Sequence, residues 1–413
     1  MKTGFFLAAL LASTSLAQIA LPAAYAAEAD SFAEAITSGD ATLDFRYRLE
    51  LVDQAGIANN ATASTLRTRL GYKTGSYNGM SGFVQFENVV SVGNQNFNST
   101  VNGNVTYPVV ADPPTTELNQ AWLRYEITDG FAIKAGREAI NLGNQRFIGT
   151  VGWRQNDQTY DNINLVYSKN GLTFVAAHVE QVNRIFSHKH ALGELETNTN
   201  LFHAEYKFQD LGTATGYAYL VDLDNPAVLG LSRNTYGVRM AGSPALSGGI
   251  KFAYELEYAQ QNDAGQNPTD FSAKYLHGSA GLSMNGWTVA AGLEKLGSDN
   301  SVGFATPLAT LHKFNGWADK FLGTPANGLK DVYVKLGWKA PDDSDVLKGV
   351  SVLAFYHDFS SDVGSLDYGS EFDWQISKPF GGRYALVAKG AHYSADTFGT
   401  DTDKFWFMLT AKF

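Results

Sequence analysis

From Thr42 to Asp53 the chain alternates without a slip. Leu43, Phe45, Tyr47, Leu49 and Leu51 take the odd positions, and Thr42, Asp44, Arg46, Arg48 and Glu50 the even ones. A period of two with one apolar face marks a β-strand. The run Thr65 to Thr74 repeats the division, with Leu66, Leu70 and Tyr72 on one face and Arg67, Arg69 and Lys73 on the other. Tyr77-Asn78-Gly79 follows, and Asn-Gly is a strong hairpin signal. The same device recurs at Asp129-Gly130, Asn170-Gly171, Asn285-Gly286 and Gly381-Gly382, each between two strand-like runs.

Between these short turns lie longer polar loops, at 93–116, 185–199, 261–270, 298–330 and 395–402. Short turns at one end and long loops at the other, over about eighteen strands, is the pattern of an outer-membrane barrel. The placement of charge supports this. Arg46, Arg48, Arg67, Arg69, Glu87, Arg124, Glu126, Glu205, Lys207, Glu255 and Glu257 fall at strand centres. A barrel of about eighteen strands encloses a lumen too wide for wall side chains to fill. The charges are therefore expected to face water inside, and the apolar residues to face lipid. Phe83, Phe131, Tyr167, Phe208, Trp287, Trp338 and Tyr384, near strand ends, suit the aromatic girdles of such a barrel. The alternative, a soluble sandwich or propeller, lacks support because neither a blade repeat nor a two-sided core pattern appears. The fold expected is an all-β, antiparallel, up-and-down transmembrane barrel with in-folded loops.

The opening stretch MKTGFFLAALLASTSLAQIALPAAYA reads as a secretory signal peptide over residues 1–26, with Ala24-Tyr25-Ala26 as its cleavage site. Residues 27–41 read as a short periplasmic segment with weak helical character, and 42–413 as the barrel. No later run is long and apolar enough for a transmembrane helix. The chain has no Cys, which excludes disulfides and thiolate metal sites. Its net charge of −10 argues against nucleic acid as a partner. The last strand, Asp403 to Phe413, puts Phe405, Phe407, Leu409, Ala411 and Phe413 on one face. It resembles the C-terminal signal by which the barrel-assembly machinery takes up such proteins. Location in a Gram-negative outer membrane, against lipid and lipopolysaccharide, follows.

Two long loops stand out. Arg137–Asp161 carries Arg137, Arg146 and Arg154, many amides, and the glycines Gly143, Gly149 and Gly152. Its anchors Phe147, Ile148, Val151 and Trp153 argue against disorder. It is expected to fold into the lumen and narrow it; the alternative is an ordered loop over the rim. Gly303–Asp331 is dense in Phe304, Leu308, Leu311, Phe314, Trp317, Phe321 and Leu322, with a helical turn expected over Leu308–Phe314. It should dock in the barrel mouth or against the inner wall. Its aromatics are either stacking platforms for a sugar ring or glue for the loop.

The stretches GREAINLGNQRFIGTVGWRQNDQTYD and FATPLATLHKFNGWADKFLGTPANGL resemble the signatures of the alginate export family of outer-membrane proteins. FRYRLE at 45–50, FYHDFSSD at 355–362 and the closing DKFWFMLTAKF are similar to it as well. The resemblance runs over most of the chain beyond the leader. It implies a porin-like barrel of about eighteen strands that passes polar solutes, without fixing alginate as the solute.

The function expected is an outer-membrane channel for small polar or anionic solutes, with acidic sugars or a polysaccharide among the candidates. Arg46, Arg48, Arg67, Arg69, Lys73, Arg124, Lys134, Arg137, Arg146 and Arg154 are the candidate solute-binding residues, since guanidinium groups pair with carboxylates. Asp44, Glu50, Glu87 and Glu126 share those strands, and Glu255 and Glu257 stand on the far wall. The other readings are a barrel enzyme and a structural surface protein. An enzyme is not expected: His357 and Asp358, adjacent on a strand, point to opposite faces, and no motif places a nucleophile beside them. Asp342-Asp343-Ser344-Asp345 lacks the rest of a calcium loop, so neither metal nor cofactor is expected.

Overall fold

The computed structural model describes residues 28–341, 344 and 346–413. Residues 1–27, which include the stretch read as a signal peptide, and Asp342, Asp343 and Asp345 lie outside the described residues. Eighteen antiparallel strands form one sheet, each paired with its neighbour in sequence. The sheet closes where the first strand, Asp40–Gln54, pairs with the last, Thr402–Lys412. Phe413 completes the seam by exchanging backbone hydrogen bonds with Leu43, 2.8 and 3.0 Å. Closure removes the free edges that a membrane would leave unsatisfied.

The alternation read from the sequence sets the two faces. Arg48 and Glu50 are buried on the inside, while Leu70 is 55% and Leu123 74% exposed on the outside. Outward-pointing apolar side chains continue around the sheet, among them Val238, Leu256, Val289 and Val334. Asn78-Gly79, Asn170-Gly171 and Asn285-Gly286 all have positive φ at both residues, as the tight hairpin turn requires. Trp287 and Trp338 meet across two strands near such turns, with ring centroids 6.1 Å apart. Phe83 departs from the girdle expectation. It is the register partner of Lys73 and packs on Trp122 at 5.6 Å, on the inner side.

Before the barrel, a short helix, Phe32–Thr37, is capped by Ser31, whose side chain accepts from the Glu34 amide. The core is in the lumen. Ile140, Leu142, Phe147 and Ile148 from one loop join Phe304, Leu308, Trp317 and Phe321 from another. They pack against the wall residues Tyr217, Tyr219, Tyr275, Phe359, Tyr393 and Trp406. The wall charges do point inward, but much of this charge is covered by loops and not by water. A lumen too wide for wall side chains is filled by chain that folds back into it.

Candidate functional site

The first loop runs from the end of the strand Phe131–Glu138 to the start of Thr159–Lys169. Val151 has φ +51, an unfavourable conformation for a β-branched residue. It is held there by a hydrogen bond from its amide to Thr310 Oγ1, 3.1 Å. Gly149 is required for the same contact, since a Cβ there would lie 2.3 Å from Thr310 Oγ1. The loop lies in the lumen because the first two strands bind it. Arg46 Nε donates to Gln155 Oε1 at 2.9 Å, and its other nitrogens donate to the Gly152 (2.8 Å) and Arg154 carbonyls. Arg48 donates to the Trp153 carbonyl and to Asp112 at 3.2 Å, with its guanidinium 4.4 Å from the centre of a Trp153 ring. Arg69 joins Glu87 and the loop's Asp157, the latter at 2.7 Å. Arg67 pairs with Asp44 at 2.6 Å.

Two loop arginines act as latches. Arg154 reaches Glu50 at 3.1 Å and Asp319 at 3.2 Å. Burial pulls its guanidinium down, but Glu50, Asp112 and Asp319 outweigh that and hold it above its ordinary value. Arg146 crosses toward the far wall, donating to Glu294 at 2.6 Å and to Thr306 and Asn315 at 3.0 Å each. It ties both loops to one carboxylate. The loops also pair with each other: the Gly149 amide donates to the Leu308 carbonyl at 2.9 Å, and the Thr310 amide to Gln145 at 3.1 Å.

The second loop has its own seat. His312 stacks on Trp153 at 4.1 Å and meets Asp319 at 2.6 Å, while Lys404 reaches Asp319 at 2.9 Å. Lys389 points at His312 Nε2, 2.7 Å away, between the rings of Trp153 and Trp317. Burial drives the His312 imidazole well below its ordinary value, so it accepts from Lys389 as the neutral ring. Asp319 is pushed up by burial, but His312, Lys404 and Arg154 outweigh this and hold it well below the carboxylate range. The Ala318 and Trp317 amides donate to Glu371 and Asp373, 2.6 and 3.1 Å. The helical turn is a single 3-10 turn, Leu311–Lys313. Phe304, Trp317 and Phe321 are buried in the core, which fits the glue reading of these aromatics.

Of the ten cations read from the sequence, Arg46, Arg48, Arg67, Arg69, Arg146 and Arg154 gather inside. Lys134 is buried against Glu138 at 2.6 Å, and Arg124 pairs with Glu126 at 3.1 Å. Lys73 is exposed at the short-turn end of its strand. Arg137 is a correction. It lies three residues past the inward Lys134 in an unbroken register, so it faces outward, bonded to Asp161 at 2.7 and 2.8 Å. The strand runs on past the point where the loop was expected to begin. Sequence reasoning missed Arg239, Glu294, Asp331, Glu371, Asp373 and Lys389, all inward and buried. The signal was available in the alternation: Glu371 and Asp373 flank outward Phe372, and Asp331 precedes outward Val332. His357 is inside, 2.9 Å from Asp331, and Asp358 outside, as their adjacency requires.

A closed eighteen-stranded sheet with an apolar exterior and a polar, loop-filled interior defines an outer-membrane β-barrel. The chain belongs to the alginate export family, whose model matches residues 39–294. Among solved structures it is similar to OpdG (OccK9) of Pseudomonas aeruginosa, with a TM-score of 0.71 at 14% identity, covering 92% of this chain and 99% of that one. It is also similar to OpdK of the same organism, solved with vanillate, with a TM-score of 0.68 at 13% identity, covering 91% and 98%. OccAB4 of Acinetobacter baumannii gives 0.67 at 16% identity, covering 91% and 98%. No match was found among curated proteins.

Proposed function

We propose that the protein is a constricted channel for small polar solutes, with a preference for anions such as carboxylates and acidic sugars. The observation that carries this is the pairing of two long loops across the inside of the barrel, anchored on a row of guanidinium groups. A path narrowed in this way suits small solutes; a polysaccharide needs the loops to move. Arg67, Arg69, Arg124, Lys134 and Lys73 are the cations assigned to meet the solute, while Arg46, Arg48, Arg146 and Arg154 chiefly hold the loops. The vanillate of OpdK, an aromatic carboxylate, supports the solute class by analogy only. Passage through the lumen is transport without chemistry. The seam strand Thr402–Lys412 is assigned to engage the assembly machinery, lipopolysaccharide to surround the outer leaflet, and the helix Phe32–Thr37 to lie in the periplasm.

The test is the reversal potential across a salt gradient in a planar bilayer, for the native protein and for Arg67→Gln, Arg69→Gln. An anion-selective native channel and a shift toward cations in the variant are expected. A cation-selective native channel contradicts the preference.

A further inference from the structure

On the outer face of the barrel, at the long-loop end of its last two strands, three side chains are joined in series. Asp403 Oδ1 lies 2.7 Å from His392 Nδ1, and His392 Nε2 lies 3.2 Å from Ser394 Oγ. His392 and Ser394 are two residues apart in the extended strand Tyr384–Ala395, so they share a face. Asp403 is the register partner of His392 on the next strand. The face is the outer one: Lys389, Ala391 and Tyr393, of the opposite parity, are the buried inward residues. The His392 and Asp403 side chains are 57% and 67% exposed, and Ser394 is exposed as well.

The chain of atoms runs in the order that nucleophilic acyl transfer requires. A carboxylate on Nδ1 fixes that nitrogen as the N–H, which leaves Nε2 as the acceptor facing a hydroxyl. A merely polar collar at the edge of the apolar belt explains Asp53 and Asp358 in the same region, but it sets no order of acid, imidazole and hydroxyl. A surface pocket of ≈ 470 Å³ is lined by His392 and Asp403 and walled by Leu51, Phe372, Trp374 and Phe405, with Ser394 two residues along the strand from its His392 edge. Gly390 shapes it. A Cβ there would lie 2.4 Å from Trp374 Nε1, so the missing side chain lets the indole lie against the strand. The pocket opens on the surface that faces lipid.

We infer that Ser394, His392 and Asp403 form a second site, outside the lumen, that hydrolyses long-chain carboxylic esters presented by the membrane. The acyl chain rests on the apolar wall with its ester at the polar edge. Ser394 Oγ adds to the carbonyl carbon as His392 Nε2 takes the hydroxyl proton, and Asp403 holds the resulting imidazolium. Ser370, opposite Ser394 in the register, supplies a hydroxyl for the developing oxyanion. Collapse breaks the C–O bond, and His392 gives its proton to the departing alcohol. Water then cleaves the acyl-serine by the same route, leaving a fatty acid and the free serine. The inference goes beyond the transport reading and departs from the sequence expectation of no enzyme.

The experiment uses the folded full-length barrel in mixed micelles with a p-nitrophenyl ester of palmitic acid, and in vesicles of phosphatidylethanolamine and phosphatidylglycerol. Fatty-acid release is compared with Ser394→Ala and His392→Asn. Single-channel conductance, which reads the lumen, serves as the control for folding. Release should fall roughly 1,000-fold in either variant with conductance unchanged, and a long-chain alkyl fluorophosphonate should label Ser394, located by mass spectrometry. A conducting native protein that releases fatty acid no faster than Ser394→Ala, or that carries no label on Ser394, overturns the inference.

Discussion

The two walls of the lumen are both charged, yet they are built differently. On the basic wall, neither Arg46 nor Arg48 forms an ion pair with a strand carboxylate among the described residues. Arg46 donates to three groups of the first loop, and Arg48 to that loop and to Asp112 of another. On the opposite wall, charged and tyrosine side chains of the strands meet one another. Arg239 meets Glu255 at 2.8 Å, Tyr217 donates to Glu257 at 2.8 Å, Tyr275 to Glu294 at 2.6 Å, and His357 pairs with Asp331 at 2.9 Å. The acidic wall thus keeps partners of its own besides the loop donors that reach Glu294, Glu371 and Asp373, whereas Arg46 depends on the first loop for its acceptors. A buried cation without its partner is costly, so the basic wall and the first loop form a unit.

This contrast breaks most readily at Arg146, where the loops reach across to the acidic wall. Arg146→Ala leaves Glu294 buried without its cation, and breaking such a pair costs about 3–5 kcal/mol. Both loops should loosen, seen as faster proteolysis within 141–158 and a noisier, larger single-channel current. Unchanged current would show that the latch is dispensable. Next in size is a paired test of the walls. Arg46→Gln should raise open-state noise, because it removes the loop's anchor. Arg239→Gln should shift the reversal potential with little change in noise, because its partners are on the wall. Equal noise in the two variants would erase the distinction.

A smaller effect comes from pH. His312 is held well below its ordinary value of 6.5, first by burial and then by Lys389 and Arg154. Once unlatched into water, the ring binds a proton below that value, so the second loop's seat has its full strength above pH 6.5 and weakens as pH falls from there. Asp319 is held well below its ordinary 3.8, and its contribution is present above that value and lost only below it. Gating events should therefore become more frequent between pH 7 and pH 5, ahead of the Asp319 step. A flat record over that range would contradict the seat as described. Smallest of all, burial and the charge of Lys404 bring Lys320 down to about 8. Raising pH through 8 should reduce anion preference slightly, read as a small drift in reversal potential.

The barrel was legible because strand register is a local property. Each residue's face follows from its parity, and a lipid-facing side must be apolar, so Arg46 and Leu51 declare their sides in the sequence alone. The loops were half legible. Phe147, Ile148 and Trp153 showed that the first loop must be covered, but nothing local shows that Arg146 spans to Glu294, 148 residues away. Arg137 was misplaced because the glycine-rich composition after it masked the last turn of alternation, in which Lys134 and Arg137 fall on opposite faces. The acidic wall beyond Glu255 and Glu257 was overlooked because its members come singly or in pairs on separate strands, and only closure brings them together. The Asp403–His392–Ser394 series shares that cause, since its acid belongs to the neighbouring strand.

Central to this account is that the first loop fills the lumen and limits flow. The most direct measurement is the single-channel conductance of the native protein and of a variant lacking residues 141–158, each shown to be folded by the shift in gel mobility on boiling. A several-fold higher conductance is expected for the deletion. An unchanged conductance from a folded deletion would place the loop outside the path and contradict it.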